Sequence, residues 1–444
     1  MLSNHPVRVR DDVAGGAALL FWSKLAGNAG FFVAVLILAR ALGPSGRGTI
    51  AFITVTALVA ARLAGLGIGE ATAVFVARRP ERRSALLANV VAFMFGSALL
   101  AAAVACTALV ALGDDRPAGV GPPELAILAC ATLVSALGES GYFFLLGCDR
   151  FRTLALITAT ASWVYPLLLL ALWSTVGLTV LRAAVAWTVA ESIRSLAFLR
   201  QAARGLSLNR PDRGLLVEAV RFGSRAWVGS LARFLNFRTD QILLGLLATE
   251  ATLGIYAVAV NASEVLLYLP AATATALLPI AARTDAGLRT QQALSAFRSA
   301  AIVTVLAGLV AAVLGPPLLP LIFGAPFEAS VTPFLWLLPG ALGFAAMVVF
   351  SNALLGDSSP GLSSVGPLVS LALGIALDLI LIPRYGASGA AAAASAAFLA
   401  GGSAALAALR HRSPFAWRLL VLPRRGDLAV FRALARPLRV ARPG

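Results

Sequence analysis

The sequence predicts an all-α polytopic membrane protein with about twelve transmembrane helices, arranged as two parallel six-helix repeats. The composition, a series of long apolar runs and an internal repeat all favour this fold. Hydrophobic residues make up 59% of the 444 residues, charged residues only 13%, and the mean hydropathy is +0.87. Because soluble domains are about 45–50% apolar and about 25% charged, this composition excludes a soluble globular protein.

Apolar runs of membrane-spanning length follow one another along the whole chain. A hydrocarbon core of about 30 Å requires roughly 20 helical residues, and twelve runs reach this length. They are predicted at about 15–40, 49–76, 84–112, 123–147, 153–175, 178–200, 218–247, 252–280, 297–322, 330–355, 361–382 and 386–409. The chain is therefore divided into an N-terminal tail (1–14), a six-helix bundle (15–200), a linker (201–217), a second six-helix bundle (218–409) and a basic tail (410–444).

Arginines are concentrated in alternate loops. The first tail, the loops after the second, fourth and eighth spans, the middle linker and the C-terminal tail are rich in arginine, and the other loops hold few. Loops with an excess of Arg or Lys remain on the cytoplasmic side of a membrane. We therefore expect a multi-pass protein of the cytoplasmic (inner) membrane, with the linker and both termini in the cytoplasm.

Short segments recur in the two halves at offsets of 206, 209 and 209 residues. The paired glycines are Gly48 with Gly254, Gly147 with Gly356, and Gly177 with Gly386. Six spans per half is an even number, so the two halves have the same orientation. Parallel repeats are a transporter architecture in which the binding site lies between the halves, near the middle of the bilayer.

Several spans contain polar residues at depth. In the first half these residues are Lys24, Asn28, Arg62 and Glu70, and in the second half they are Arg233, Asn236, Asp240 and Glu264. A charge at the centre of a bilayer costs at least about 2.5 kcal/mol, so such residues face a protein or water interior and mark transport pathways. The sequence therefore predicts a polar cavity within the membrane.

The remaining composition excludes other kinds of site. Cys106, Cys130 and Cys148 are isolated, and the histidines His5 and His411 lie in the two tails, so no disulfide or metal site is expected. The net charge of +16 resides in short loops rather than on one soluble face, which argues against a nucleic-acid partner.

Four segments resemble the oligosaccharide flippases (Wzx-type polysaccharide exporters) of the multidrug/oligosaccharidyl-lipid/polysaccharide exporter superfamily. The longest, from residue 221, reads RFGSRAWVGSLARFLNFRTDQILLGLLATEATLGIYAVAVNASEVLLYLP, and a closing proline follows at 279. The others are LARALGPSGRG (38–48), GLGIGEATAVFVAR (65–78) and IPRYGASGAAAAA (382–394). The similarity extends over about residues 15–409.

The resemblance implies a V-shaped pair of six-helix bundles around a central cavity that opens alternately to each side. It implies transport of isoprenoid-diphosphate-linked oligosaccharide from the inner to the outer leaflet for surface polysaccharide synthesis. Polysaccharide polymerases and glycosyltransferases are the expected protein partners, and the lipid bilayer is the expected surroundings.

A diphosphate needs buried cations to enter the membrane, since Arg and Lys bind phosphate through charge-assisted hydrogen bonds. Lys24, Arg62 and Arg233 are the candidates for this role, assisted by Asn28 and Asn236. An alternative interpretation is that the charges pair with one another, for example Arg233 with Glu264 or Arg238 with Asp240, and only hold helices together.

The acidic residues Glu70, Asp240 and Glu264 are expected either to couple transport to a proton or sodium ion or to form structural ion pairs. No other cofactor is expected. The membrane potential alone is a further driving force, because each negative charge that moves outward gains about 2.3 kcal/mol per 100 mV.

Two other functional classes are open. A drug exporter of the same superfamily should have an acidic cavity, whereas the deep charges here are mixed with a basic excess. A polytopic enzyme such as a sugar polymerase needs a large outer loop, and the longest predicted one, 113–123, has only Asp114 and Asp115 as acidic residues. An enzyme is therefore not expected.

Overall fold

The part of the chain that the structure describes consists of helices joined by short turns, without a strand there. The computed structural model describes residues 5–113, 117, 119–206, 210–281, 284–357 and 359–421. The earlier helices are α1 His5–Ala64, α2 Ile68–Arg78, α3 Arg83–Ala111, α4 Pro122–Gly147, α5 Phe151–Ala161, α6 Val164–Thr175 and α7 Val180–Ala203. The later helices are α8 Arg213–Leu235, α9 Thr239–Leu247, α10 Glu250–Ser263, α11 Tyr268–Ala281, α12 Ala286–Phe323, α13 Val331–Gly356, α14 Pro360–Arg412 and α15 Arg418–Val421.

Two long helices each contain two predicted spans. In α1 the break lies at Gly43 (φ 65°), directly before Pro44, and in α14 it lies at Gly386 (φ 56°). A positive φ is readily adopted only by glycine, so the chain turns at these positions. Among the described residues, eight helical stretches are long and apolar enough to cross a membrane, and they include both broken helices. With two passes for α1 and for α14, and with α7 and α8–α9 added, the described residues accommodate the twelve predicted passes. The all-α, multi-pass membrane fold is confirmed.

Several spans are interrupted where they carry polar residues. The chain leaves helical geometry at Leu66 (φ 43°) and Gly67 (φ 78°), between α1 and α2. Residues 236–238 separate α8 from α9, and the 3₁₀ turn Glu264–Leu267 separates α10 from α11. Interrupted helices within a membrane are tolerated where the freed backbone groups lie inside protein or line a cavity.

The chain forms two compact units. The first unit comprises the described residues up to Leu231, with Gln241–Ala257 and Ile322–Phe327, and the second unit comprises Ala232–Asp240, Val258–Leu321 and the described residues from Glu328 onward. The core of the first unit includes Ile68, Phe75 and Phe198, whereas that of the second includes Leu277 and Phe350.

The first unit contains a close contact between α4 and α7. A Cβ atom on Gly138 would lie 2.3 Å from the Ser195 Oγ, and one on Gly141 would lie 2.8 Å from the backbone of Phe198. The Ser195 hydroxyl donates a hydrogen bond to the Val134 carbonyl at 2.9 Å. Small residues allow membrane helices to approach closely and to exchange such hydrogen bonds.

The second unit repeats this contact between α13 and the last part of α14. A Cβ atom on Gly340 would lie 2.7 Å from the Ser395 Oγ, and one on Gly343 would lie 2.5 Å from the backbone of Phe398. The Ser395 hydroxyl donates to the Trp336 carbonyl at 2.5 Å. The two contacts are related by offsets of 202 residues for the glycines and 200 for the serines, which supports the predicted internal repeat.

The pairing of Gly147 with Gly356 agrees with the bounds of the two helices. Helices α4 and α13 are each 26 residues long, and both their first and their last residues are 209 positions apart. The glycine contacts recur at an offset of 202 residues, which differs from that alignment by about two helical turns. Gly177 (φ 79°) and Gly386 (φ 56°) both adopt positive φ at the turn before the last helix of their half. The turns at these two glycines are therefore related by the same 209-residue offset as the bounds of α4 and α13.

Gly48 and Gly254 lie directly against each other in the first unit. A Cβ atom on Gly48 would lie 1.7 Å from the Glu250 carbonyl oxygen, and one on Gly254 would lie 1.9 Å from the Pro44 carbonyl oxygen. Pro44 and Glu250 are separated by the same 206 residues as the two glycines. The contact is therefore reciprocal, as expected where two repeat-related helices cross.

Candidate functional site

The eight predicted site residues are distributed over both units. Lys24, Asn28, Arg62 and Glu70 belong to the first unit, and Arg233, Asn236, Asp240 and Glu264 belong to the second. The side chain of Lys24 lies outside the described residues, and Asn28 is partly buried on α1. Arg233 lies at an exposed position on α8. The roles of all eight in substrate binding or ion coupling stay predictions.

Arg62 lies between two carboxylates in the first unit. Its Nη2 donates to Glu70 Oε1 at 2.5 Å and to Ser230 Oγ at 3.3 Å, and its Nη1 lies 3.6 Å from Glu139 Oε2. Ser230 Oγ also donates to Glu70 Oε1 at 3.0 Å. The Arg62 guanidinium lies 5.9 Å from the centre of the Phe143 ring. We name Arg62, Glu70, Glu139 and Ser230 the arginine cluster.

The break between α1 and α2 creates this cluster. Arg62 is in the last turn of α1 and Glu70 is in the first turn of α2, so the turn at Gly67 allows the two side chains to meet. A Cβ atom on Gly67 would lie 2.3 Å from the Gly223 carbonyl oxygen, which brings α8 and its Ser230 close to α2. The side chain of Arg62 is only 13% exposed, so one guanidinium is shared between two carboxylates away from most of the solvent.

An ion pair in the second unit joins two interrupted spans. Arg238, between α8 and α9, places its Nη1 3.5 Å from Glu264 Oε1, in the turn between α10 and α11. The turn is followed by Pro270 in the first turn of α11, where a missing backbone N–H is tolerated. The sequence suggested other pairs, Arg233 with Glu264 and Arg238 with Asp240, because it does not show which side chains the interrupted helices bring together.

The Asn236 side chain bonds to backbone in the second unit. Its Nδ2 donates to the Ala232 carbonyl at 2.7 Å and to the Pro367 carbonyl at 2.9 Å. These bonds connect the end of α8 to α14, and the amide nitrogen donates both of its hydrogens to backbone carbonyls.

A small cavity lies next to this residue, lined by side-chain oxygens from α9 and α14. Its volume is about 20 Å³, and its polar lining is Asn236, Thr239, Asp240, Ser370 and Asp378. We name it the carboxylate cavity. Asp378 is only 3% exposed, and its Oδ1 has no hydrogen-bond partner among the described residues; the same holds for the buried Ser370 Oγ.

The carboxylate cavity suits a small hard cation or a proton. Buried polar atoms are nearly always hydrogen-bonded, so an unsatisfied carboxylate oxygen is available to bind a proton, a water molecule or a cation. Carboxylate and hydroxyl oxygens are ligands that hard cations prefer. A volume of about 20 Å³ exceeds the ~10–15 Å³ needed for one water molecule.

Sequence reasoning missed five members of these two sites. In the arginine cluster they are Glu139 and Ser230, and in the carboxylate cavity they are Thr239, Ser370 and Asp378. A signal was present for the acids: Asp378 is the only charged residue between positions 358 and 383, and Glu139 is the only one between 125 and 148. A single carboxylate within an apolar span is a functional-site hypothesis by itself.

Solved membrane transporters share this fold. A structure described as the lipid II flippase MurJ in an inward closed conformation matches with a TM-score of 0.75 and 13% identity, over 95% of this chain and 93% of that one. An inward-facing multidrug resistance MATE family transporter matches with a TM-score of 0.65 and 16% identity, over 87% of this chain and 94% of that one. A Vibrio cholerae MATE transporter matches with a TM-score of 0.55 and 17% identity, over 90% and 98%.

Sequence comparison identifies the family. No curated protein matches the chain significantly. The family model described as polysaccharide biosynthesis protein matches residues 13–285, which is more than half of the chain. This model belongs to the same exporter superfamily as the MATE structure. The chain is therefore a member of the polysaccharide biosynthesis protein family of the multidrug/oligosaccharidyl-lipid/polysaccharide exporter superfamily.

Proposed function

We propose that this protein is a flippase that moves an isoprenoid-diphosphate-linked oligosaccharide from the inner to the outer leaflet of the cytoplasmic membrane. The match to the polysaccharide biosynthesis protein family carries the proposal, and the fold shared with a lipid II flippase is consistent with it. Both termini lie in the cytoplasm in this proposal, and polymerases and glycosyltransferases of surface polysaccharide synthesis are the partners.

The deep basic residues support a phosphate-containing substrate. The diphosphate would be held by Lys24, Arg62 and Arg233, with Asn28 and Asn236 assisting. Asn236 donates to two backbone carbonyls in this structure, so it becomes a donor to the substrate only if one of these bonds is released. Arg62 is paired with Glu70 and Glu139 in this structure, so it reaches a phosphate only if these ion pairs rearrange. Arg233 lies at an exposed position on α8 and is a second candidate for contact with the phosphate.

The carboxylate cavity supports coupling to a cation. A buried Asp378 next to Asp240 places two carboxyl groups around one small volume, and two like charges in an apolar site disfavour each other's ionised form. A sodium ion or a shared proton relieves this repulsion. Binding and release of that cation would bias the second unit between two conformations. Glu70 and Glu264 are engaged by arginines and are weaker candidates for this role.

A multidrug exporter is the second candidate, because MATE transporters share the fold. Such a protein needs an acidic site large enough for an organic cation, and pockets for drug-sized ligands measure about 300–1,000 Å³. The carboxylate cavity, at about 20 Å³, accommodates a coupling ion but not a drug. The cavity is also too small for a lipid-linked sugar, so it does not distinguish the two candidates, and the match to the polysaccharide biosynthesis protein family favours the flippase.

The substrate class can be tested by mass spectrometry of lipids that copurify with the full-length protein. We expect isoprenoid diphosphates that carry sugars, enriched over the lipid extract of the same membranes. A retained amphipathic cation without such lipids would favour the exporter instead.

The role of Arg233 can be tested by flipping or complementation assays of Arg233→Ala. One charge-assisted hydrogen bond contributes about 1.5–3 kcal/mol, so we expect transport to fall about tenfold or more at unchanged expression. Arg213→Ala, at an exposed position in the first turn of the same helix, is the matched control. Normal transport by Arg233→Ala would remove this residue from the site.

The coupling proposal is tested with Asp378→Asn in proteoliposomes under a sodium gradient and, separately, a proton gradient. We expect the variant to lose its response to the gradient that drives the wild-type protein. Asp149→Asn, an exposed change at a positive-φ turn position that asparagine tolerates, should respond normally. A gradient response retained in Asp378→Asn would exclude the cavity as the coupling site, without affecting the assignment of the substrate.

A further inference from the structure

The last turn of α14 and the residues that follow it are held against the second unit by one of their faces. The chain leaves α14 after Arg412, and the short helix α15 begins at Arg418. Phe415, Leu419 and Leu420 pack on the core cluster that contains Phe350. The buried Arg298 donates from Nη1 to the Leu419 carbonyl. This segment, residues 410–421, is therefore a defined surface of the folded second unit, and we name it the C-terminal segment.

Ion pairs with Asp357 also fix the position of this segment. Arg412, in the last turn of α14, donates from Nε to Asp357 Oδ2 at 2.8 Å, and Arg289 donates to the other carboxylate oxygen of Asp357. Asp357 is thus engaged by two arginines and leaves a surplus of positive charge at this end of the unit.

The opposite face of the C-terminal segment is basic and aromatic. Trp417 is 52% exposed, and the Arg410 guanidinium lies 4.1 Å from the centre of its ring. Arg418 and His411 are exposed on the same short segment. Residues 410–421 contain three arginines and no acidic residue, so the exposed face has no internal countercharge.

Such a face at the end of a transmembrane helix lies at the level of the lipid headgroups. The membrane-spanning stretch Gly361–Arg412 ends where the segment begins, on the arginine-rich side of the predicted topology. Tryptophan is enriched at this depth because its ring is apolar and its N–H is polar. Anionic lipid surfaces attract each nearby Arg or Lys by about 1 kcal/mol.

We propose that Arg410, Trp417 and Arg418 form a binding surface for the phosphate headgroups of anionic lipids in the adjacent leaflet. The guanidinium groups of Arg410 and Arg418 bind headgroup phosphates, and the Trp417 ring inserts between the headgroups and the acyl chains. The stacking of Arg410 on Trp417 orients its guanidinium, so the cation and the ring act on the same lipid. The surface is separate from the predicted substrate residues and does not depend on the identity of the transported glycan.

The test measures lipid retention by native mass spectrometry of the full-length protein in detergent, with phosphatidylglycerol or phosphatidylcholine added. We expect the wild-type protein to retain phosphatidylglycerol in preference to phosphatidylcholine. Arg410→Gln combined with Arg418→Gln should weaken retention of phosphatidylglycerol about tenfold or more. Arg410→Lys combined with Arg418→Lys should preserve most of it, because the charge is kept.

Arg384→Gln is the matched control, since Arg384 is an exposed arginine on the same helix α14 but near the Gly386 break. It should leave retention of phosphatidylglycerol unchanged. A second measurement follows the quenching of tryptophan fluorescence by brominated phosphatidylglycerol in nanodiscs, which Trp417→Phe should reduce. This variant keeps all the basic residues and tests the surface if the double glutamine variant is not stable.

Three outcomes would overturn the proposal. Unchanged retention in a folded double glutamine variant, with unchanged quenching in Trp417→Phe, would show that this surface binds no lipid. Equal retention of the two lipids by the wild-type protein would show that headgroup charge is not recognised. Displacement of phosphatidylglycerol by millimolar inorganic pyrophosphate would indicate a site for a soluble phosphate ligand instead.

Discussion

Arg62 is a positively charged residue within a predicted membrane span, and the structure shows which side chains it contacts. Its guanidinium contacts Glu70, Glu139 and Ser230 at the break between two helices. Removing one member of a buried ion pair leaves the other charge uncompensated, which costs more than the pair itself contributes. Variants of Arg62 therefore distinguish a structural role, which affects stability, from a substrate-binding role, which affects transport.

We expect Arg62→Ala to lower the free energy of unfolding by about 3 kcal/mol, because Glu70 and Glu139 remain without a countercharge. Adding Glu70→Gln to this variant should recover part of that loss, since one of the two stranded charges disappears. Thermal unfolding of the purified variants measures both effects, and Arg152→Ala, at an exposed position, is the control. Strictly additive effects would show that the two residues do not form a unit.

The same variants separate structure from transport. If Arg62 only holds helices together, Arg62→Ala with Glu70→Gln should regain transport together with stability. If Arg62 also binds the diphosphate, the double variant should be stable and remain inactive.

At the scale of helices, glycines determine where the elements cross. The contact of Gly48 with Glu250, and of Gly254 with Pro44, leaves no space for a Cβ atom at either glycine. Membrane helices gain little from hydrophobic burial against each other, because lipid is equally apolar, and depend on close packing instead. A methyl group at such a crossing separates the two helices along their contact.

We expect Gly48→Ala and Gly254→Ala each to destabilise the protein by about 2–3 kcal/mol, the upper part of the range for overpacking. Gly308→Ala is the matched control, because Gly308 lies within α12 with no atom within 4 Å of a Cβ at that position. It should be neutral or stabilise by up to about 1 kcal/mol, since alanine favours the helix. Thermal unfolding in one detergent compares the three variants, and equal effects would contradict a special role for the crossing.

At the scale of the whole molecule, stability depends on pH through charges outside the membrane spans. Asp357 follows α13 and accepts hydrogen bonds from Arg412 and Arg289, so it joins the ends of three helices of the second unit. Burial alone would raise the pKa of the Asp357 carboxyl, but the hydrogen bonds from the two arginines outweigh it and lower the pKa below its ordinary value of 3.8. A lowered pKa in the folded state means that the carboxylate stabilises the fold when ionised.

This contribution is fully present above about pH 5. It is lost as the pH falls through 3.8 toward the lower pKa of the folded state. We expect Asp357→Asn to be less stable than the wild-type protein by about 1–2 kcal/mol at pH 7, and the difference should shrink on acidification below about pH 4. Unfolding measured from pH 7 to pH 3 tests this, with the exposed Asp149→Asn as the control. A difference that stays constant with pH would rule out Asp357 as the titrating group.

Much of the fold was predictable because it depends on local properties of the chain. Hydropathy indicates the spans, and Gly43 and Gly386 lie at or beside the predicted ends of spans, where they turn the chain with a positive φ. The break at Gly67 lies inside the predicted span 49–76 and was not predicted. The repeat was visible in Gly48 and Gly254, and Gly147 and Gly356 end the corresponding helices α4 and α13 at the predicted offset.

The polar sites depended on more than local sequence. The i, i+3 and i, i+4 spacing that relates Arg233 to Asn236, or Lys24 to Asn28, holds only within one continuous helix. The decisive contacts instead cross helix breaks, as for Arg62 with Glu70 and for Arg238 with Glu264.

The amino-acid sequence alone therefore determined that the chain crosses a membrane many times, that its halves repeat and that some of its charges lie within the spans. These properties follow from residue type and spacing, which are independent of distant contacts. Only the tertiary structure decided which charges pair and that Asp378 faces a cavity with Ser370. The physical reason is that the energy of a buried charge depends on its neighbours within a few ångströms, and helix crossings bring together neighbours that are far apart in the sequence.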